Sequence, residues 1–343
     1  MIKCLVWDLD NTIWCGTLME GDKCRLKPGI KSVLGGLDQR GILHSIASAN
    51  DEDLAFSVLA RKGISDFFLC PQINWSKKVA SLQTIANKLN IGMDTMGFVD
   101  DEPYEREQVR QILPLVHTYS AEDYQTFMDR PEFNPMFRTY ESSQRRKMYI
   151  QESRRAETQK RLGKSHKEFL KSCQTQMTIR KARKEDLPRI LELMHRTHQL
   201  NATGKIYEQD KVISFLNAPN YRIYVVELKD RFVDYGKIGV AICECRPQKW
   251  QLFSFLLSCR VLTRGIGYFF LSWLQHQANK YGASEFEGSF IKRERNHRMR
   301  MLYSLSGFRP KQKKGDGSVI FTKTCQSHLP RPDWFTLQTE DVG

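Results

Sequence analysis

Apolar and polar positions follow a repeating order along the first third of the chain. Cys4-Leu5-Val6-Trp7 is an unbroken apolar run that stops at Asp8-Leu9-Asp10-Asn11-Thr12. A second run over 42–47 stops at Ser48-Ala49-Asn50, and a third over 95–99 stops at Asp100-Asp101-Glu102. Short apolar runs closed by turn residues read as buried strands, and the stretches 30–40, 53–62 and 78–89 carry the period of helices. The order β-α-β-α-α-β predicts a doubly wound parallel sheet with helices on its faces.

The pattern restarts at Met177. Residues 177–182 read as a strand, and 184–197 as an amphipathic helix with Leu187, Ile190, Leu191 and Met194 on one face and Asp186 near its start. Strands follow at 222–228, 237–245 and 251–257, with helices at 268–281 and 296–306. Between the halves, Arg130-Pro131-Glu132-Phe133-Asn134-Pro135 breaks the pattern with two prolines. Residues 138–171 then hold Gly163 as their one glycine and no proline, which reads as exposed helix. The expected organisation is a first domain over 1–135, a basic helical connector over 136–175, a second domain over 176–325 and a peripheral tail over 326–343. A length of 343 residues agrees with two domains at about 150 residues each.

Composition excludes several classes. With 41% hydrophobic and 27% charged residues there is material for two cores and no case for wholesale disorder. No run approaches the ~18 apolar residues of a spanning helix. The N-terminus has neither a long apolar region nor a small-residue cleavage site, so the expectation is a cytoplasmic protein without membrane contact. The nine cysteines are odd in number and form no C-x-x-C pair, which disfavours a disulfide framework or a structural zinc site. The net charge of +14 divides into −5 over 1–137, +7 over 138–171 and +12 over 172–343. The basic residues lack a helix-turn-helix, a zinc finger or an aromatic RNA-binding strand motif, so nucleic acid is disfavoured as a partner.

The candidate chemistry gathers at strand ends. Period-2 geometry puts Asp8 and Asp10 on one side of the first strand's end, and in a parallel sheet ligands bind beyond the carboxyl ends of strands. Asp8, Asp10, Ser48, Asn50, Asp100 and Asp101 fall there. Such hard oxygen ligands suit Mg²⁺-assisted phosphoryl transfer, with Asp8, Asp10, Asp100 and Asp101 as metal-ligand candidates. Asp8 is the candidate nucleophile, Asp10 the acid and base, and Lys78 the balancing charge. Taken as D-L-D-N-T, Ser48 closing a strand, Lys78 opening a helix, and F-V-D-D at 98–101, these elements resemble the four motifs of the haloacid dehalogenase superfamily. Short spacings from Asp10 to the second strand and from Ser48 to Lys78 leave no room for a covering cap domain, so a capless, open site is expected.

In the second half, Arg264-Gly265-Ile266-Gly267 opens a helix, where backbone N–H groups face an anion. The order of elements resembles the N-acetyltransferase (GNAT) α+β fold, in which such a turn holds the diphosphate of coenzyme A. Leu262 departs from that motif, since Gln or Arg is usual there. Cys259 lies at the strand-to-helix turn beside Arg260 and Arg264, where cations and a helix N-terminus favour the thiolate; it also reads as a buried strand-end cysteine. Cys15 is a second nucleophile candidate. Gln199 and Asn201, at the end of the first helix of this half, are candidate substrate contacts or a solvated helix end.

Across both halves the chain resembles the FkbH-like proteins of polyketide biosynthesis. The matching segments, in order, are V-W-D-L-D-N-T at Val6, S-I-A-S-A-N-D at Ser45, P-Q-I-N-W-S-K-K at Pro71, G-F-V-D-D-E-P at Gly97, R-P-E-F at Arg130, Q-L-N-A-T-G at Gln199 and S-C-R-V at Ser258. The resemblance implies capture of the glyceryl unit of 1,3-bisphosphoglycerate as a protein thioester, removal of phosphate, and delivery to the phosphopantetheine thiol of an acyl carrier protein. Two other readings stand beside it. One is a bifunctional phosphatase and coenzyme A-dependent acetyltransferase; the other is a basic nucleic-acid-binding protein.

Overall fold

Every residue of Cys4–Trp7 is buried, as expected of a strand flanked on both sides and covered on both faces. In the computed structural model, which describes residues 1–163, 165–258, 261, 264–329 and 332–340, the chain divides into two units, Met1–Arg154 and Arg155–Gly343. The first runs β1 (Cys4–Trp7), β2 (Trp14–Cys15), β3 (Arg25–Leu26), α1 (Ile30–Gln39), β4 (Leu43–Ser48), α2 (Glu52–Arg61), β5 (Gln72–Ile73), α3 (Lys78–Leu89), β6 (Met96–Asp100), α4 (Pro103–Ile112), β7 (His117–Ser120), α5 (Tyr140–Ser143) and α6 (Arg145–Leu162). The division falls within α6.

The first sheet has the order β5-β4-β1-β6-β7, all parallel. Alternate side chains serve two cores. Leu5, Trp7, Leu9, Ile46 and Val99 pack on one face, and Cys4, Val6, Leu43, Ala47 and Phe98 on the other. Gly97 is required in β6, because a Cβ there would stand 2.6 Å from Leu5 Cδ1. Two local signals start the helices on the site side of the sheet. Asp51 caps α2 by accepting from the Leu54 N–H at 2.9 Å, and Pro103 occupies the first turn of α4. Between β1 and β4 the chain builds only the β2–β3 hairpin, one 3₁₀ turn at Leu18–Glu20 and α1. This is a haloacid-dehalogenase-like sheet with no domain inserted at either expected cap position.

The second unit continues with α7 (His166–Ser172), β8 (Thr175–Lys181), α8 (Leu187–Arg196), α9 (Gln209–Asn217), β9 (Tyr221–Lys229), β10 (Asp234–Cys245), β11 (Lys249–Leu257), α10 (Ile266–Lys280), β12 (Glu285–Ile291), α11 (His297–Leu305), β13 (Arg309–Lys313), β14 (Ser318–Thr324) and β15 (Phe335–Thr339). Its sheet has the order β13-β14-β12-β11-β10-β9-β8-β15. β8 to β11 form an antiparallel meander. β11 and β12, linked through α10, are parallel. This is the GNAT-like α+β arrangement. The segment expected as a peripheral tail contributes β15, which pairs in parallel with β8. At the other edge, β13 (Arg-Pro-Lys-Gln-Lys) is exposed throughout, and its proline and lysines blunt that edge against further pairing. No helix among the described residues is long and apolar enough to cross a membrane. The eight described cysteines carry free thiols.

Candidate active site

Register alone brings the first site together. Trp7 lies opposite Ile46 of β4 and Val99 of β6, so the residues that follow all three strands emerge at one level. The Asp8 N–H donates to Val99 O at 2.9 Å. Lys78 is the first residue of α3 and is buried. Its ammonium donates to Asp8 Oδ1 and to Ala47 O at 2.8 Å, and lies 3.3 Å from Asp100 Oδ2. That last contact is an ion pair without hydrogen-bond geometry, because Asp100 Oδ2 has no hydrogen-bond partner. Asp100 Oδ1 accepts from the Glu102 N–H at 2.8 Å.

One cation therefore serves two buried carboxylates. Burial pushes Asp8 above the ordinary carboxylate range, although Lys78 and then Ser48 pull the other way. Asp100 is pushed up to about 7, first by burial and then by the charge of Asp8, with Lys78 opposing. Burial would lower Lys78, but Asp8 and then Asp100 outweigh it and hold its ammonium above the ordinary lysine value. The Asp8–Asp100 pair thus carries one positive charge too few.

Asp10 and Asp101 are engaged otherwise. Asp10 Oδ1 accepts from Trp14 Nε1 at 2.8 Å and from the Leu18 N–H at 3.2 Å, and Oδ2 accepts from Asn50 Nδ2 at 3.1 Å. The same Asn50 amide donates to Ser48 Oγ at 3.2 Å. Asp101 is exposed and accepts from Thr12 Oγ1 at 3.3 Å, while its own N–H donates back to that hydroxyl at 3.0 Å. Among the described residues no three His, Cys, Asp or Glu side chains stand together as a ready metal-ligand group. Of the four carboxylates expected as metal ligands, Asp8 and Asp100 are buried beside Lys78, while Asp10 accepts from three neutral donors and Asp101 from Thr12. The two buried groups fit a hard divalent cation: their donors are carboxylate oxygens, and one Asp100 oxygen lacks a hydrogen bond. Trp14 and Thr12, which orient Asp10 and Asp101, were not singled out from the sequence. The signal lay in an indole donor four residues after a carboxylate, inside a turn.

Met19, Leu54, Trp75 and Tyr104 are exposed large side chains, one each on the segments that follow β2, β4, β5 and β6. Cys15 is exposed in β2, opposite Arg25 of β3.

In the second unit, Cys259 and Arg260, with Leu262, lie outside the described residues. The Arg264 guanidinium, expected as an anion contact, is engaged within the unit. It donates to Asp230 Oδ2 at 3.0 Å and to Tyr235 Oη, lies 4.3 Å from the Tyr235 ring centroid, and shares Asp230 with Arg155 Nε at 3.4 Å. Burial explains this, since a guanidinium with so little exposure must be paired within the protein. Gly265 has φ 71° and caps α10. A Cβ on Gly267 would meet Leu257 Cδ1 at 2.8 Å and Leu302 Cδ2 at 3.0 Å, so this glycine makes room for packing within the unit. Of the two readings of Asn201, the solvated helix end does not hold. The residue is buried, and its Oδ1 accepts from the Gly204 N–H at 2.9 Å and the Thr203 N–H at 3.3 Å, shaping a turn instead of presenting donors to solvent. Gln199 stands beside Leu200, the first residue of that buried segment.

Neither a protein-family model nor a curated protein matches the chain. Solved structures similar to it divide between its halves. The N-terminal part of the protein BF1531 from Bacteroides fragilis, containing a phosphatase domain and complexed with Mg, is 33% identical over 36% of this chain and 38% of its own, with a TM-score of 0.31. The ribosomal-protein-S18-alanine N-acetyltransferase from Escherichia coli is 18% identical over 43% of this chain and 94% of its own, with a TM-score of 0.35. An acetyltransferase of the GNAT family from Streptococcus pneumoniae is 17% identical over 44% and 99%, with a TM-score of 0.35. The chain thus spans well under half of the first of these and nearly the full length of the other two.

Proposed function

We propose that the chain is a phosphatase coupled to an acyl transferase of the FkbH-like kind, which takes the glyceryl group of 1,3-bisphosphoglycerate as a cysteine thioester, removes the remaining phosphate and loads the acyl group onto an acyl carrier protein. The observation that carries the phosphatase half is the cluster at the carboxyl ends of β1, β4 and β6. There a buried Asp8 is paired with Lys78, and Asp10 is held apart by Trp14, Leu18 and Asn50.

The two aspartates have different tasks. Asp8, with its oxygen fixed by Lys78, attacks phosphorus; the substrate alcohol leaves with a proton from Asp10, and Asp8 carries the phosphoryl group. Asp10 then takes a proton from water, which attacks the phosphorus and releases phosphate and free Asp8. Ser48 and Asn50 hold phosphate oxygens, and Lys78 balances the added charge. Asp8 and Asp100 would hold a magnesium ion, which when bound would supply further neutralisation of phosphate charge.

The acyl half rests on sequence. Cys259, with Arg260 beside it, is the proposed thioester carrier: its thiolate attacks the acyl carbon of the acyl phosphate, and inorganic phosphate leaves. Arg264 is held by Asp230. Exposed large apolar side chains on the segments after β2, β4, β5 and β6, namely Met19, Leu54, Trp75 and Tyr104, support a substrate presented by another macromolecule. The resemblance of seven ordered segments supports the glyceryl group in particular.

Intact-mass measurement of wild type, Cys259→Ala and Cys15→Ala, each incubated with 1,3-bisphosphoglycerate, Mg²⁺ and a carrier protein, tests this. The expected result is a glyceryl adduct on wild type and Cys15→Ala, passing to the carrier, and none on Cys259→Ala. An adduct that persists in Cys259→Ala overturns the cysteine assignment. A chain that hydrolyses phosphate esters yet never loads a carrier overturns the glyceryl reading.

A further inference from the structure

β11 and β12 pair side by side only over Lys249–Leu252 and Glu285–Gly288. Beyond that point β11 continues to Leu257 and β12 to Ile291, and two parting parallel strands leave facing backbone groups without strand partners. A pantetheine arm, extended and carrying amides, would pair along such an edge much as an added strand does. If the turn before α10 held a diphosphate, the arm leaving it would run along the end of β11, the strand that leads into that turn.

The chain fills this place with its own backbone. The Leu257 N–H donates to Leu200 O at 2.9 Å, the Ala202 N–H to Phe255 O at 2.9 Å, and the Ile291 N–H to Ala202 O at 3.0 Å. Asn201 thereby forms an antiparallel bridge with Leu256. Asn296 Nδ2 fastens the segment from behind, donating to Asn201 O at 3.0 Å and to Ile291 O at 2.9 Å. Leu200, Asn201, Ala202 and Thr203 are all buried. At the described part of the turn, Trp334 Nε1 donates to Arg264 O at 3.2 Å, and the indole lies 3.3 Å from where a Cβ on Gly265 would be.

We infer that residues Leu200–Thr203 are a built-in strand that closes the cleft between β11 and β12, so that free coenzyme A is not a ligand of this unit despite its GNAT-like fold. The cofactor that the fold suggests does not fit the described residues: its arm has no free edge on β11, Arg264 is paired with Asp230, and Trp334 covers Gly265. The acyl-bearing thiol must then come from the protein itself or from a partner that brings its own docking surface. The inference does not depend on the phosphatase chemistry or on the glyceryl assignment.

Amide hydrogen exchange of the full chain, with and without millimolar coenzyme A, tests it. The expected result is strong protection of Ala202, Leu257 and Ile291 in both samples, with no change on addition. Coenzyme A that attaches elsewhere on this basic chain and leaves those amides unchanged supports the inference equally. Saturable one-to-one binding that alters exchange across Leu200–Thr203 and at Leu257 overturns it. Failure to load a carrier protein would overturn the proposed function and leave this result untouched, so the two failures are separable.

Discussion

Trp7 Nε1 donates to His44 Nδ1 at 3.1 Å in the core beneath the candidate phosphatase site. Nδ1 is therefore the accepting nitrogen, and the ring's Nε2–H donates to Leu34 O at 3.0 Å. The imidazole is neutral with both nitrogens used. Burial pushes His44 down to about 4 from the ordinary 6.5. An unfolded chain takes up this proton as pH falls below 6.5, and the folded one refuses it until about 4. The stability from His44 is therefore present above 6.5 and is lost through that window, amounting to roughly 3 kcal/mol. Urea titrations of His44→Gln against wild type should show a flatter acid limb in the variant; equal slopes would contradict the assignment.

Asp100 acts in the opposite sense. Its folded carboxyl keeps a proton to about 7, against an ordinary 3.8, so its contribution is fully present in acid and is lost as pH rises through 7. A divalent cation bound at this carboxylate would replace that proton. Asp100→Asn should therefore raise the melting temperature of the metal-free protein at pH 8 and abolish the further rise on adding Mg²⁺. Its phosphatase rate should fall by about a hundredfold or more, from the loss of several kcal/mol of charge stabilisation. A variant that Mg²⁺ still stabilises would place the cation elsewhere.

Asp10→Asn should lower phosphatase kcat by about 10² to 10⁴ for alkyl phosphates. The loss should shrink for aryl phosphates, whose leaving oxygen needs no proton. A series of esters graded by leaving-group acidity checks this, and a uniform loss across the series would make Asp10 a positioning residue instead.

Arg264→Met should destabilise the second unit by about 3–5 kcal/mol, because it leaves Asp230 buried with Arg155 as its remaining nearby cation. Denaturant unfolding measures it. A loss under 1 kcal/mol would mean that Arg264 is not the structural residue described here.

Trp75→Ala and Tyr104→Ala should slow dephosphorylation of a carrier-tethered substrate at least tenfold and leave hydrolysis of a small phosphate ester within about twofold, since both side chains are exposed on the segments that follow β5 and β6. Raising ionic strength should likewise weaken carrier loading more than small-ester hydrolysis, given +7 and +12 on the connector and second half. Parallel losses for both substrates would argue against a docked carrier.

The first site was legible in the sequence because a parallel sheet converts strand ends into neighbours: once 4–7, 42–47 and 95–99 are read as strands, Asp8, Ser48 and Asp100 must meet. The roles of Trp14 and Thr12 were hidden because they depend on how a turn folds back on itself, which periodicity does not report. In the second half, strand and helix periods were readable, but the closing of the β11–β12 gap by Leu200–Thr203 was not. That segment has no period of its own, and its partners lie more than fifty residues away. The pairing of Arg264 was hidden for a related reason: its partner Asp230 lies 34 residues away in the chain.

The pairing of β15 with β8 has a consequence for synthesis. β8 is the first strand of its sheet to leave the ribosome, and the strand that closes its open edge is the last. At about 5–20 residues per second, that edge stands bare for on the order of 10 s while the intervening chain is made. The first unit, whose strands are all made by Ser120, waits on nothing so distant. Newly made chains are therefore most exposed to wrong pairing along Thr175–Lys181, and a fusion or truncation that delays or removes Phe335–Thr339 prolongs that interval or makes it permanent.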